Sequence, residues 1–121
     1  MTISEAIALA TDLTGQVLPN TILVRWLSEF DGKLAVTFFH EDEWEPYNPA
    51  TDMNKDLLVP YPYDGTYVDY LAAMTSYSRA EYDRYESSKI MSDKTLSDYK
   101  AYMMRTHARP CQPGFPIDRG D

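Results

Sequence analysis

The sequence predicts a mainly α protein: a small antiparallel helical bundle of about four helices with a long acidic loop and an extended C-terminal arm. Apolar residues recur at three- and four-residue steps in four stretches, which is helical spacing. A capping motif stands at the start of the first stretch. Between the second and third stretches the periodicity vanishes, and prolines punctuate the chain instead.

The first helix is expected over about residues 3 to 13. Thr2-Ile3-Ser4-Glu5 forms a capping box, Ile3, Ala6, Ile7, Ala10 and Leu13 follow at helical steps, and Gly15 suits a terminator. The second helix, about 20 to 38, takes Asn20 as its cap and carries Leu23, Trp26, Leu27, Phe30, Leu34 and Phe38 on one stripe. Gly32 interrupts that stripe at a cost of about 1 kcal/mol relative to alanine. Leu34 to Phe39 alone is rich enough in β-branched and aromatic residues for a strand, but the continuous stripe favours helix.

His40 to Pro62 reads as a long loop whose opening, His40-Glu41-Asp42-Glu43-Trp44-Glu45, is strongly acidic. Within it, Trp44 to Tyr47 could pair with Asp56 to Val59 as a short β-hairpin. A third helix follows over about 64 to 86, with a stripe in which tyrosine predominates. Ser87-Ser88 weakens it, Ser92-Asp93 caps a fourth helix, and Leu96, Tyr99, Tyr102 and Met103 give that helix its apolar face to about residue 106. The expected core is Ile7, Leu23, Trp26, Leu27, Phe30, Leu71, Met74 and Leu96.

The chain has 121 residues, enough for one core. We divide it into one helical domain, 1 to 107, and a Pro/Gly-rich arm, 108 to 121, which reads as flexible. Eleven Lys and Arg against nineteen Asp and Glu give a net charge of -8, which disfavours attraction to phosphate backbones and anionic lipid. The single cysteine, Cys111, forms no internal disulfide and suits a reducing compartment. No apolar run approaches the roughly 20 residues of a membrane span, and Glu5 interrupts what could resemble a leader.

Chemistry is sparse. His40, His107 and Cys111 are the usual neutral-pH candidates, and all lie outside the expected core elements, so no catalytic residue is assigned. His40 with Glu41, Asp42, Glu43 and Glu45 lacks a second His or Cys to complete a metal shell. Asp52, Asn54 and Asp56 alternate like the opening of a calcium loop but lack its glycine and distal glutamate. No Gly-rich phosphate loop is present. The expectation is a binding protein without enzymatic activity, cofactor or metal. The hydroxyls of ten tyrosines would be hard to satisfy inside so small a core, and tyrosine is enriched at interfaces. Subunit contacts along Tyr67 to Tyr85 are therefore favoured over packing within the monomer, which is the alternative. The expected interface residues are Tyr67, Tyr70, Tyr77 and Tyr85, with Pro110, Phe115 and Pro116 of the arm.

Three stretches carry a resemblance. They are Arg25-Trp26-Leu27-Ser28-Glu29-Phe30-Asp31-Gly32-Lys33, then Leu57-Leu58-Val59-Pro60-Tyr61-Pro62-Tyr63-Asp64 with Tyr67, Tyr70 and Leu71, and finally Tyr102-Met103-Met104-Arg105-Thr106-His107. In order and spacing, over residues 20 to 107, they resemble proteins of the head-tail connector (adaptor) type from the structural modules of tailed phages and prophages. The resemblance implies a mainly helical subunit of a homo-oligomeric ring, dodecameric in that family, between portal protein and tail or stopper proteins. DNA would pass through the ring without specific binding. The chain would be made in the bacterial cytoplasm and reside in the virion. A small acidic regulator that binds a host protein by imitating DNA is the alternative.

Overall fold

Thr2 and Glu5 open the first helix by satisfying each other's backbone. The Thr2 N–H donates to Glu5 Oε1 at 2.8 Å and the Glu5 N–H to Thr2 Oγ1 at 3.2 Å. Helix α1 (Ile3–Thr14) ends at Gly15, whose φ of 70° is left-handed and whose N–H closes the last turn on Thr11 O. The structure, a computed structural model, describes residues 1–106. The remaining helices are α2 (Asn20–Thr37), α3 (Gly65–Ser78) and α4 (Tyr82–Thr106). The chain is mainly helical, as the periodicity predicts.

Two helix boundaries differ from expectation. Asn20 is the first helical residue of α2, not its cap: Pro19 occupies that place, and no side chain caps the start. Leu34 to Thr37 is helix, and the Phe38 and Phe39 N–H groups both close on Leu34 O before His40 turns the chain at φ 58°. The expected helix from 64 to 86 is broken at residues 79 to 81. There the Arg79 and Glu81 N–H groups both donate to Ser76 O, and Ala80 adopts φ 60°. Helix α4 then runs without interruption through Ser87-Ser88 and Ser92-Asp93.

The hydroxyls of Ser87 and Ser92 find acceptors within the helical hairpin. Ser87 Oγ donates to Asp83 O one turn back. Ser92 is buried and faces Thr66 across the α3–α4 contact, where Thr66 Oγ1 donates to Ser92 O at 2.9 Å and Ser92 Oγ to Thr66 O at 3.1 Å. Helices α3 and α4 pack along most of the length of α3, which also meets α1 and α2.

The segment between α2 and α3 is held by hydrogen bonds to both sides. Ile3 and Ser4 donate to Lys55 O and Met53 O, and the Leu57 N–H donates to Met1 O. The hairpin between Trp44–Tyr47 and Asp56–Val59 is not formed. Its donors go elsewhere: Tyr47 N to Ser28 Oγ, Leu58 N to Asp31 and Val59 N to the Tyr67 hydroxyl.

Of the expected core, Ile7, Leu23, Leu27 and Leu71 are buried. Trp26, Phe30 and Leu96 are only partly buried and pack against the core's edge, and Met74 is likewise half-buried. The true centre includes Ile3, Val24, Val59 and Tyr67 instead.

Gly32 has a packing reason to be glycine. A Cβ there would lie 2.8 Å from Trp44 Cδ1 and 3.0 Å from its Nε1, both ring atoms that cannot yield independently. Gly32→Ala should therefore destabilise the protein by about 1 to 3 kcal/mol through overpacking, against the helix-propensity gain of about 1 kcal/mol. A denaturant melt showing stabilisation would mean that Trp44 is not seated on α2. In the same assay Leu27→Ala should lose about 2 to 5 kcal/mol. Trp26→Ala should lose less, because its ring is only partly buried; the reverse order would mean that the faces of α2 are rotated.

Candidate functional site

Asp31 lies on the buried stripe of α2 with Val24, Leu27, Ser28 and Ala35, and it is fully buried. Its carboxylate receives three donors from distant parts of the chain. Tyr47 Oη donates to Oδ2 at 2.6 Å, Tyr67 Oη to Oδ1 at 2.6 Å, and the Leu58 N–H to Oδ2 at 3.1 Å. Tyr67 Oη in turn accepts the Val59 N–H at 2.7 Å. One turn earlier on the same face, Ser28 Oγ accepts the Tyr47 N–H at 2.8 Å. Two polar residues of α2 thus fix the loop at Tyr47 and Leu58 and the start of α3 at Tyr67.

Burial pushes the Asp31 carboxyl above its ordinary value, and the bonds from Tyr47, Tyr67 and Leu58 pull against that rise without cancelling it. Burial, reinforced by the adjacent Asp31, also raises both phenols well above their usual range. Tyr47 and Tyr67 therefore remain protonated donors at physiological pH. The arrangement is a cross-link between segments, with each carboxylate oxygen already engaged.

The cross-link orients the acidic segment. Trp44 stands edge-on to Tyr47, with ring centroids 5.3 Å apart, and lies against Gly32. Its buried indole N–H has no hydrogen-bond partner among the described residues. On either side of that anchor, Glu41, Asp42, Glu43 and Glu45 are exposed. His40 is exposed as well, and no group of three or more His, Cys, Asp or Glu side chains gathers at metal-binding spacing among the described residues.

The expected interface residues separate. Tyr67 is fully buried and offers no surface to a neighbour, because its hydroxyl bridges Asp31 and Val59. Tyr70 is half-buried, with its ring 5.0 Å from that of Phe30. Tyr77 and Tyr85 do come together, 5.1 Å apart, and Tyr82 joins them at 5.8 Å from Tyr77. Pro110, Phe115 and Pro116 lie outside the described residues.

Tyr77 and Tyr82 are 54% and 57% exposed. Sequence reasoning did not assign Tyr82 to the interface, nor Leu13 and Val17, which are 61% and 84% exposed at the C-terminal end of α1 and just beyond it. A groove of about 490 Å3 lies between Leu13 and Gln16 on one side and Ser76, Glu81 and Arg84 on the other. This end of the bundle therefore combines apolar side chains, tyrosines and charged groups, a composition suited to adhesion. No described helix is long and apolar enough to cross a membrane.

Tyr67→Phe should cost about 1 to 3 kcal/mol and more than Tyr47→Phe, since it strands the buried Val59 N–H as well as one Asp31 oxygen. Asp31 has a raised folded-state pKa, so the stability it contributes is greatest below the ordinary value of 3.8. That contribution declines as pH rises to the folded value and is level above it. Loss of the Tyr67 donor removes a lowering influence and extends the window upward. Denaturant titrations should accordingly find a larger Tyr67→Phe penalty at about pH 7 than at about pH 4. Equal penalties, or a costlier Tyr47→Phe, would contradict the assigned hydrogen bonds.

Comparison with protein families, with curated proteins and with solved structures finds no match to this chain.

Proposed function

We propose that the protein is a non-enzymatic assembly subunit of a tailed phage or prophage, of the head-tail connector (adaptor) type, forming a ring between portal and tail. The observation that carries this reading is the adhesive end of the bundle, where Tyr77 and Tyr82 are more than half exposed and Leu13 and Val17 more so. Such side chains remain in water at a cost that burial against a neighbour relieves. The three stretches that resemble connector proteins support the same role. In a ring, the net charge of -8 keeps passing DNA from adhering to the wall. The partners are further copies of the chain, the portal protein, and tail or stopper proteins, and the destination is the head-tail junction of the virion.

Native mass spectrometry and negative-stain imaging of the purified chain, alone and with portal and stopper proteins of the same phage, test the proposal. Closed rings, or incorporation into the neck, are expected. Truncation after His107, which removes Pro110, Phe115 and Pro116, should leave the melting temperature nearly unchanged and prevent incorporation. A chain that stays monomeric in every mixture would overturn the connector role, as would retention of duplex DNA at physiological salt. A truncated chain that still assembles normally would remove the arm from the interface.

A further inference from the structure

Three of the five lysines in this acidic chain line one groove. It runs between α2, α3 and α4, encloses about 340 Å3, and is lined by Phe30, Leu34, Met74 and Leu96 together with Lys33, Lys89 and Lys100. Asp93, its one carboxylate, is held by Lys89 at 2.7 and 2.9 Å. Three lysines less one aspartate leave the lining at +2, in a protein whose total is -8. Neither Lys33 nor Lys100 has an ion pair among the described residues, and Lys100 stands over the face of Phe38 at 5.7 Å. An apolar trough with spare positive charge calls for an acidic occupant that also carries apolar surface.

We propose that this groove receives the acidic loop, Glu41 to Glu45, of a second copy of the chain. That loop presents four exposed carboxylates, none in an ion pair among the described residues, on a segment fixed by Trp44 and Tyr47. It cannot fill the groove of its own chain. Ser28, Asp31 and Gly32, which anchor the loop, and Phe30, Lys33, Leu34 and Thr37, which line the groove, lie on opposite sides of α2. At 3.6 residues per turn the two sets are centred about 160° apart, with a helix about 10 Å thick between them.

A contact that joins one side of a subunit to the opposite side of the next is heterologous. It propagates head to tail and closes into a ring when the rotation allows. The inference deepens the connector reading and, as a ring junction, rests on it. Opposed charge patches also set register and encounter rate more than affinity, so the tyrosine-bearing end remains the adhesive part.

The test is the oligomeric state of the full chain by light scattering and native mass spectrometry, at low and high salt. It compares wild type, a groove variant (Lys33→Glu with Lys100→Glu), a loop variant (Glu41→Lys with Glu43→Lys), and an equimolar mixture of the two. Circular dichroism verifies that both variants fold. Each variant alone should need at least about tenfold more protein to assemble, roughly the effect of one or two lost interfacial ion pairs. The mixture should assemble again, because each reversed groove then meets a reversed loop. Rings of wild type matched by rings of each variant would overturn the groove contact and leave the connector reading standing. Loss in both variants without rescue in the mixture would also overturn the contact. Salt-sensitive self-association that is lost in the variants and rescued in the mixture, but never closes into rings, would support the contact and remove the ring. A wild type that is monomeric throughout overturns both.

Discussion

A buried carboxylate accepting hydrogen bonds from three separated points of the chain is the constraint on which the rest of the structure depends. Asp31 has no cationic partner among the described residues, so its desolvation is offset by donors alone: two phenols and a backbone N–H. Left unpaired, such a charge would cost far more than a domain of this size can supply. The segment from residue 38 to 64 has no regular structure of its own, and Asp31 with Ser28 gives it one position on α2. The N-terminal edge of α1 supplies a second clamp through Met1, Ile3 and Ser4. Charge-assisted bonds of this kind are shorter and stronger than neutral ones, consistent with two contacts at 2.6 Å.

The same node decides which tyrosines face outward. With Tyr67 held at Asp31, α3 is fixed in rotation: Leu71 is buried, Tyr70 lies against Phe30, and Tyr77 emerges at the far end. Thr66 and Ser92 then set α4 in register against α3 through hydroxyl bonds in both directions. The turn at residues 79 to 81 brings Tyr82 and Tyr85 back beside Tyr77. Core polar bonding and surface presentation are thus consequences of one another, although they lie at different places along α3.

Local signals were legible where local physics decides. The capping box and Gly15 bracket α1 to within one residue, and the apolar stripe of α2 carries through to Thr37. Tertiary contacts override local signals elsewhere. The α3–α4 break contains neither glycine nor proline, whereas Ser87, read as a weak point, and Ser92, read as the start of a new helix, lie inside α4 with their hydroxyls on Asp83 O and Thr66 O. Gly32 reads as a defect until Trp44 is placed over it. Asp31 reads as a solvated charge, yet it falls four residues after Leu27 and four before Ala35, on the stripe that is buried. That position was the one available sign of an internal site. Its partners, 16, 27 and 36 residues away, left none.

Net charge is a poor guide to how such a molecule meets its neighbours. At physiological ionic strength the screening length is about 8 Å, so the repulsion between two chains of charge -8 fades beyond that separation. Contacts a few ångströms apart keep their strength and depend on which patches face each other. In this fold the cationic groove and the acidic loop are separated by the body of α2, which keeps them from neutralising one another within a chain. A helix that buries a carboxylate to anchor an acidic loop on one side, and on the other side lines a groove with Lys33 beside Lys89 and Lys100 of α4, gives the chain two unlike faces. That difference between the faces originates in the alternation of residues 28 to 37 around a single helix.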